Sequence, residues 1–214
     1  MAHVDAVMVG ELGIGLIQMM ENAGRSLAEV AITAFSPASV TVLAGTGGNG
    51  GGGLVAARHL ANRGVDVRVA LTRPSLEGEP GHQLGILHRM KVPVELDPPP
   101  SELLIDALIG YSIRGHPRGV AAELIEWANG SGTPILSLDT PSGLHVTTGE
   151  AMDPCIEADV TLTVGLPKVG LRFADQVGRL LLADISVPPQ VYAVFGMDPT
   201  GLFERSAIVE IHPL

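Results

Sequence analysis

Apolar positions change their spacing along the chain, and the changes mark out its elements. From Val4 to Ala34 they recur at helical spacing, interrupted at Gly13-Ile14-Gly15. Leu16, Met19, Met20, Ala23, Leu27, Val30 and Ala31 form one stripe, which predicts a core-packed helix from Leu16 to about Phe35. Glu21, Asn22 and Arg25 run beside the stripe, either as a solvated face or reaching a pocket, and Ser36-Pro37 closes the helix. Val40, Val42, Leu43 and Ala44 then read as a buried strand. Gly45 to Gly53, glycine except at Thr46 and Asn49, read as a turn leading into a helix over Leu54 to Leu60. Val65 to Leu71 alternates as a strand, Pro74 to Gly81 reads as a loop, His82 to Arg89 as a helix and Val94-Glu95-Leu96 as a short strand. The prolines of Asp97 to Pro100 form a stiff connector too short to separate two cores. Further strands are expected at Leu103 to Ile109, Pro134 to Leu138, Val160 to Val164 and Leu180 to Ile185, with a helix over Val120 to Asn129. Alternating strands and helices predict an α/β three-layer fold with a mainly parallel sheet.

Composition narrows this picture. A chain of 214 residues suits one sizeable domain, 1–214, and 46% hydrophobic with only 3% aromatic residues requires a core of Val, Leu, Ile and Ala. A net charge of -10 and a pI near 5.0 argue against nucleic acid as a partner, because phosphate neutralisation needs clustered Lys and Arg. The single Cys155 excludes an intramolecular disulfide and a cysteine metal cluster, and fits a reducing compartment as an inert thiol. No apolar run approaches the roughly 20 residues of a membrane span. The first residues carry acids where a signal peptide carries bases, so a cytoplasmic protein is expected.

Candidate chemistry falls at three polar clusters behind strands, where α/β folds bind ligands. The first is the glycine turn with Asn49, whose amides and following helix suit an anion. It is no Walker loop, since no Lys-Ser/Thr follows, and Asp66 comes too early for a ribose-binding acid, which disfavours an NAD(P)-dependent oxidoreductase. The second runs from Asp106 to Gly119, the third from Asp139 to Ser142. A carboxylate in an apolar strand is costly unless paired, hydrogen-bonded or bound to a cation. Asp106 and Asp139 are therefore either ligand groups or caps for neighbouring amides. Two acids, an amide and a hydroxyl are all oxygen donors, suited to a hard cation or a ribose rather than zinc.

These residues carry a resemblance to the NAD(P)H-hydrate epimerase, or YjeF N-terminal domain, family. Met20 to Arg25 resemble the Met-Glu-Asn-Ala-Gly-Arg core of its opening helix, and Gly45 to Gly53 its G-x-G-N-N-G-G-D-G motif. Asp106-Ala107-Leu108-Ile109-Gly110 and Leu138-Asp139-Thr140-Pro141-Ser142-Gly143 are similar to two further motifs, and Ala158 to Thr163 with Gly165 to Gly170 resemble the family's tail. The resemblance implies a Rossmann-like αβα sandwich, usually a homodimer, that interconverts the R and S epimers of hydrated NADH and NADPH. It also implies functional coupling to an ATP- or ADP-dependent dehydratase. A potassium ion is expected on Asn49, Asp106 and Ser142. Substrate is expected on Gly48, Asn49, Gly50, Gly51 and Gly52, on the segment Gly110, Tyr111, Ser112, Ile113, Arg114, Gly115 and His116, and on Asp139. Asp139 is the first candidate for a proton shuttle and Asp106 the second. Arg114 is either a phosphate-positioning group or an exposed salt-bridging residue, and Lys168 is expected at a solvated rim or in a structural role. Gly48 and Gly52 stand where the family motif has Asn and Asp, which predicts a more mobile loop. It also opens a second reading, a catalytically silent nucleotide-binding or dimerisation module.

Overall fold

The computed structural model describes residues 2–95 and 99–212; residues 96–98, within the expected short strand and proline connector, lie outside the described residues. Eight strands form one sheet in the order β3-β2-β1-β4-β5-β6-β7-β8, parallel except for β8. They are β1 (Ser39–Ala44), β2 (Asp66–Leu71), β3 (Val94–Glu95), β4 (Leu103–Ala107), β5 (Ile135–Leu138), β6 (Val160–Val164), β7 (Arg179–Ala183) and β8 (Ile208–Glu210). The helices are α1 (Ala2–Gly10), α2 (Leu16–Val30), α3 (Gly48–Ala61), α4 (Gly78–Arg89), α5 (Val120–Gly130) and α6 (Pro189–Val194). The strand order reverses between β1 and β4, so the carboxyl ends of these strands border the crevice where doubly wound sheets take ligands.

Alternation within the strands assigns the two faces. Val40, Val42 and Ala44 of β1, with Ile105 and Ala107 of β4, pack in one cluster with residues of α1, α2, α3, α4 and α6. Leu43 and Leu104 point the other way, into a cluster with Leu124, Ile125 and Ala128 of α5. A third cluster, Leu144, Leu171, Val177 and Leu180, continues the core under β6 and β7. Leu27, Leu54 and Leu60 are fully buried, and burial of each stabilises the fold by about 1.5–3 kcal/mol.

The structure redraws several expected boundaries. The long second helix ends as α at Val30 and finishes in a π turn, Ala31–Phe35, before Ser36 takes a left-handed φ of 49°. Helix α4 begins at Gly78 rather than His82, because Pro80 sits in its first turn, where no backbone N–H is required. Strand β4 stops two residues early at Ala107, which releases residues 108–116 into a loop. The short α6 and the antiparallel β8 carry no periodic signal that length and spacing could expose.

The largest revision concerns the glycine stretch. Only residues 45–47 form the turn; α3 starts at Gly48 and carries Gly50 to Gly53 inside its first two turns, all four buried. Glycine is a poor helix former, so tertiary packing imposes this helix. A Cβ on Gly53 would lie 2.5 Å from Ala107 Cβ, and one on Gly24 of α2 would lie 2.5 Å from the Gly52 carbonyl. Glycine therefore lets α3 press against both β4 and α2, and the mobility expected from Gly48 and Gly52 gives way to a packed helix.

Candidate functional site

Four strand ends converge at the crevice. Asp106 occupies the end of β4, paired in register between Leu43 of β1 and Ser137 of β5. It is fully buried, and its carboxylate accepts four bonds. Oδ1 takes Leu108 N–H at 3.2 Å and Ser142 Oγ–H at 2.5 Å; Oδ2 takes Ser142 N–H at 2.8 Å and Ser137 Oγ–H at 2.9 Å. Burial pushes its proton affinity above the ordinary carboxylate range, and the bonds from Ser142, Leu108 and Ser137 oppose that push. Ser142 Oγ in turn accepts the Ile109 N–H at 2.8 Å. Asp106 thus ties the loop after β4 to the loop after β5.

Asp139 follows β5 with φ at 69°, in the left-handed region that few non-glycine residues occupy. Its N–H donates to Leu162 O at 2.8 Å, its Oδ2 accepts Tyr111 N–H at 3.2 Å, and its Oδ1 pairs with Lys168 Nζ. Both side chains of this ion pair are 6% exposed. Of the two places expected for Lys168, a solvated rim or a structural role, the structure shows a buried one: Thr163 Oγ1 and Val164 O each accept from Nζ at 2.8 Å. Tyr111 bridges outward: its hydroxyl donates to Asp5 Oδ2 of α1 at 2.7 Å. Burial, followed by Asp5, raises the proton affinity of that phenol.

A cavity of about 540 Å³ opens in front of these groups, a size typical of small-molecule sites. Its polar wall includes Asp5, Thr46, Asn49, Tyr111, Ser112 and Asp139, and Met19, Met20, Leu138 and Val164 contribute to the apolar wall. Helix α3 presents its amino-terminal turn to the cavity, so unpaired amides and the positive helix end face it. Gly48 is exposed, and a Cβ there would make only an ordinary contact with Met20 Cε at 3.9 Å, whereas a Cβ on Gly52 would meet Leu138 Cδ2 at 2.7 Å. The place of a side chain at 52 is therefore filled by Leu138 and is not a void.

The expected site residues separate into groups. Gly48, Asn49, Gly52, Gly110, Tyr111, Ser112 and Asp139 line the cavity together. Gly50 and Gly51 are buried within α3, and Asp106 and Ser142 lie fully buried in the network that supports the wall. Ile113, Arg114, Gly115 and His116 lead away from it; Arg114 is exposed and His116 Nδ1 accepts the Asp153 N–H at 2.9 Å. Glu21 turns to Arg58 and His59 of α3; burial works against ionisation, but those two partners win and lower its proton affinity. Asn22 Nδ2 donates to Ile185 O at 3.3 Å. Cys155 is an inert thiol: burial, followed by Asp106 and Glu157, pushes its pKa up to about 12. Sequence reasoning missed Asp5, which reaches Tyr111 across 106 positions, and undervalued Lys168. The one available signal for the latter was its place in the loop after an apolar strand, following Pro167.

Oxygen donors and helix amides around a cavity at the switch point of a mainly parallel sheet define a nucleotide-type small-molecule site. A family model described as YjeF-related protein N-terminus matches residues 16–170, and the chain belongs to that family. An NAD(P)H-hydrate epimerase of Dehalogenimonas lykanthroporepellens is 44% identical over 206 residues, covering 92% of this chain and 84% of that protein. A bifunctional NAD(P)H-hydrate repair enzyme Nnr of Hyperthermus butylicus is 41% identical over 86% of this chain, which spans 37% of its length. The crystal structure of yeast ynu0 superposes with a TM-score of 0.85 at 27% identity, covering 98% of this chain and 96% of that one.

Proposed function

We propose that this protein is an NAD(P)H-hydrate epimerase that interconverts the R and S epimers of hydrated NADH and NADPH. The observation that carries the chemistry is Asp139, 4% exposed in the cavity wall, with Oδ1 fixed by Lys168 and an unused lone pair on Oδ2. The hydrated ring carbon bears a hydroxyl and a bond to the ring nitrogen. In the proposed reaction Asp139 accepts the hydroxyl proton while the carbon–nitrogen bond opens, and its electron pair passes to nitrogen, conjugated with the ring's remaining double bond. Rotation of the aldehyde and reclosure on the other face regenerate the bond, and Asp139 returns the proton to oxygen. Substrate and product have the same atoms and charge. The amides at the start of α3 would bind the phosphates, and Asp106, which accepts four hydrogen bonds, holds the loops in place.

A potassium ion belongs to this reading. Asn49 Nδ2 is buried without a partner among the described residues, and Asn49 packs on Gly110, where a Cβ would come within 3.3 Å of it. Turning the Asn49 amide over brings its oxygen to the orphan position, where a cation is a fitting partner. Asn49, Asp106 and Ser142 would hold the ion, which supplies a fixed positive charge beside the phosphate-facing amides. The bifunctional relatives support functional coupling to an ATP- or ADP-dependent dehydratase. The same reading takes the protein to be a cytoplasmic homodimer.

The test is to incubate the protein with enzymatically hydrated NADH and follow the R/S ratio by chromatography, with potassium present and absent. The ratio is expected to reach equilibrium far faster than in buffer, and Asp139→Asn is expected to slow it by about 10²–10⁴-fold. An unchanged ratio with folded protein would favour the silent binding module.

A further inference from the structure

We infer that Lys168 is a positioning residue for the reaction, the group that holds Asp139 as an aimed, charged carboxylate at the cavity wall. The inference rests on the epimerase reading and assigns a role to a residue outside the ion- and substrate-binding positions that the resemblance implies.

Three observations carry it. Lys168 is 8% exposed although it sits in the loop after β6, and a lysine is seldom buried without a dedicated partner. All three ammonium donors are used, by Asp139 Oδ1, Thr163 Oγ1 and Val164 O, so none remains for a substrate. It is absent from the wall of the main cavity, whereas Asp139 is part of it. Lys168 therefore acts through Asp139 rather than on the ligand.

The geometry gives that action a direction. Thr163 and Val164 belong to β6, so the rigid sheet fixes Nζ, and Nζ fixes Oδ1. Asp139 has a left-handed backbone and sits between elements that bring few other charges to it: Asp5 and Tyr111 from the cavity side, and Lys168 from the loop after β6. Without the ammonium, the buried carboxylate loses the one cationic partner it has among the described residues, and Oδ1 is no longer anchored to the sheet. Oδ2 then no longer meets the reacting hydroxyl in a fixed orientation. Substrate contacts made by the start of α3 are unaffected.

The experiment compares Lys168→Met, Lys168→Arg and Lys168→Ala with wild-type protein on hydrated NADH. Lys168→Met keeps most of the apolar stem and is expected to lose about 10²-fold or more in kcat. Its KM should stay within about threefold of wild type, the signature of an interaction that matters only during the chemical step. Propylammonium added to Lys168→Ala is expected to restore about tenfold or more of the lost kcat, and to restore nothing in Asp139→Asn. A merely structural lysine would give neither the split nor the rescue. Wild-type kcat in folded Lys168→Met, a loss confined to KM, or no rescue of Lys168→Ala overturns the inference. If neither the Met nor the Ala variant folds, Lys168→Arg decides: the planar guanidinium keeps the charge, and retained folding with kcat between wild type and Asp139→Asn supports the role, whereas unchanged kcat overturns it. Absence of turnover in the wild type would instead remove the epimerase reading itself. A readout without turnover separates the two: the Tyr111 amide, bonded to Asp139 Oδ2, is expected to shift in 1H–15N spectra of Lys168→Met, and an unmoved Tyr111 signal counts against positioning.

Discussion

At the residue scale, the two acids of the site illustrate how environment divides labour between identical side chains. Asp139 keeps spare acceptor capacity at a cavity wall, whereas Asp106 has four donors on two oxygens and no exposure. In Asp106→Asn, one of those oxygens becomes an NH₂. A serine hydroxyl can rotate to accept from it, but a backbone N–H of Leu108 or Ser142 cannot. One buried amide is then orphaned, at a cost of about 1–3 kcal/mol, or a loss of roughly 2–12 °C in Tm for a chain this long. Thermal unfolding of the purified variant checks this, and a wild-type Tm would mean that the network does not hold the two loops together. The same contrast explains what the sequence could tell. Asp106, Asp139 and Ser142 were legible because each interrupts an apolar strand or stands just past its end. Lys168 was not, because its burial depends on acceptors in β6 and on Asp139, brought close only by the parallel pairing of β5 and β6. Asp5 meets Tyr111 only through the docking of α1, which no local pattern encodes.

At the element scale, α3 shows why propensity misplaced the glycine stretch. Four consecutive buried glycines argue for a turn when each is weighed by intrinsic preference, at about 1 kcal/mol of helix propensity apiece relative to Ala. The helix forms nevertheless because α3 makes its closest approaches where those glycines lie. Two substitutions separate the effects. Gly48→Ala adds a methyl in ordinary contact with Met20 Cε, 3.9 Å away, and is expected to be neutral or to stabilise by up to about 1 kcal/mol. Gly53→Ala gains the same propensity but drives Cβ to 2.5 Å from Ala107 Cβ and 3.3 Å from Val42 Cγ1, both on the central strands. Neither neighbour is a flexible tip, so α3 has to lift from the sheet, and overpacking of this kind costs about 1–3 kcal/mol. Denaturant titration reads both. Equal stability of the two variants would contradict the view that close packing, rather than ligand approach, holds the glycines of this helix. The departure at Gly52 fits the same logic, since Leu138 covers the place its side chain would take.

At the scale of the whole molecule, the crevice joins two halves of one sheet. Asn49 belongs to the half built on β1 and β2, while Asp106 and Ser142 belong to β4 and the loop after β5. The parallel sheet itself was readable from the alternation of strands and helices; the order that places β1 beside β4 was not, because pairing is decided by packing between distant segments. If a potassium ion is shared by those three residues, it can bind only the folded chain, since unfolding scatters positions 49, 106 and 142. Linkage then requires a stability gain of RT ln(1 + [L]/Kd), about 1.4 kcal/mol at ten times Kd, or roughly 3–6 °C in Tm. The measurement needs a control, because the chain carries a net charge of -10 and any salt relieves its self-repulsion by screening. Tm should therefore be compared in potassium and tetramethylammonium chloride at equal ionic strength, where screening is matched and only specific binding differs. A higher Tm in potassium that disappears in Asn49→Ala places the ion at the junction of the two halves. Equal Tm in both salts, at concentrations up to the hundred-millimolar range, assigns the whole salt effect to screening and removes potassium from the site.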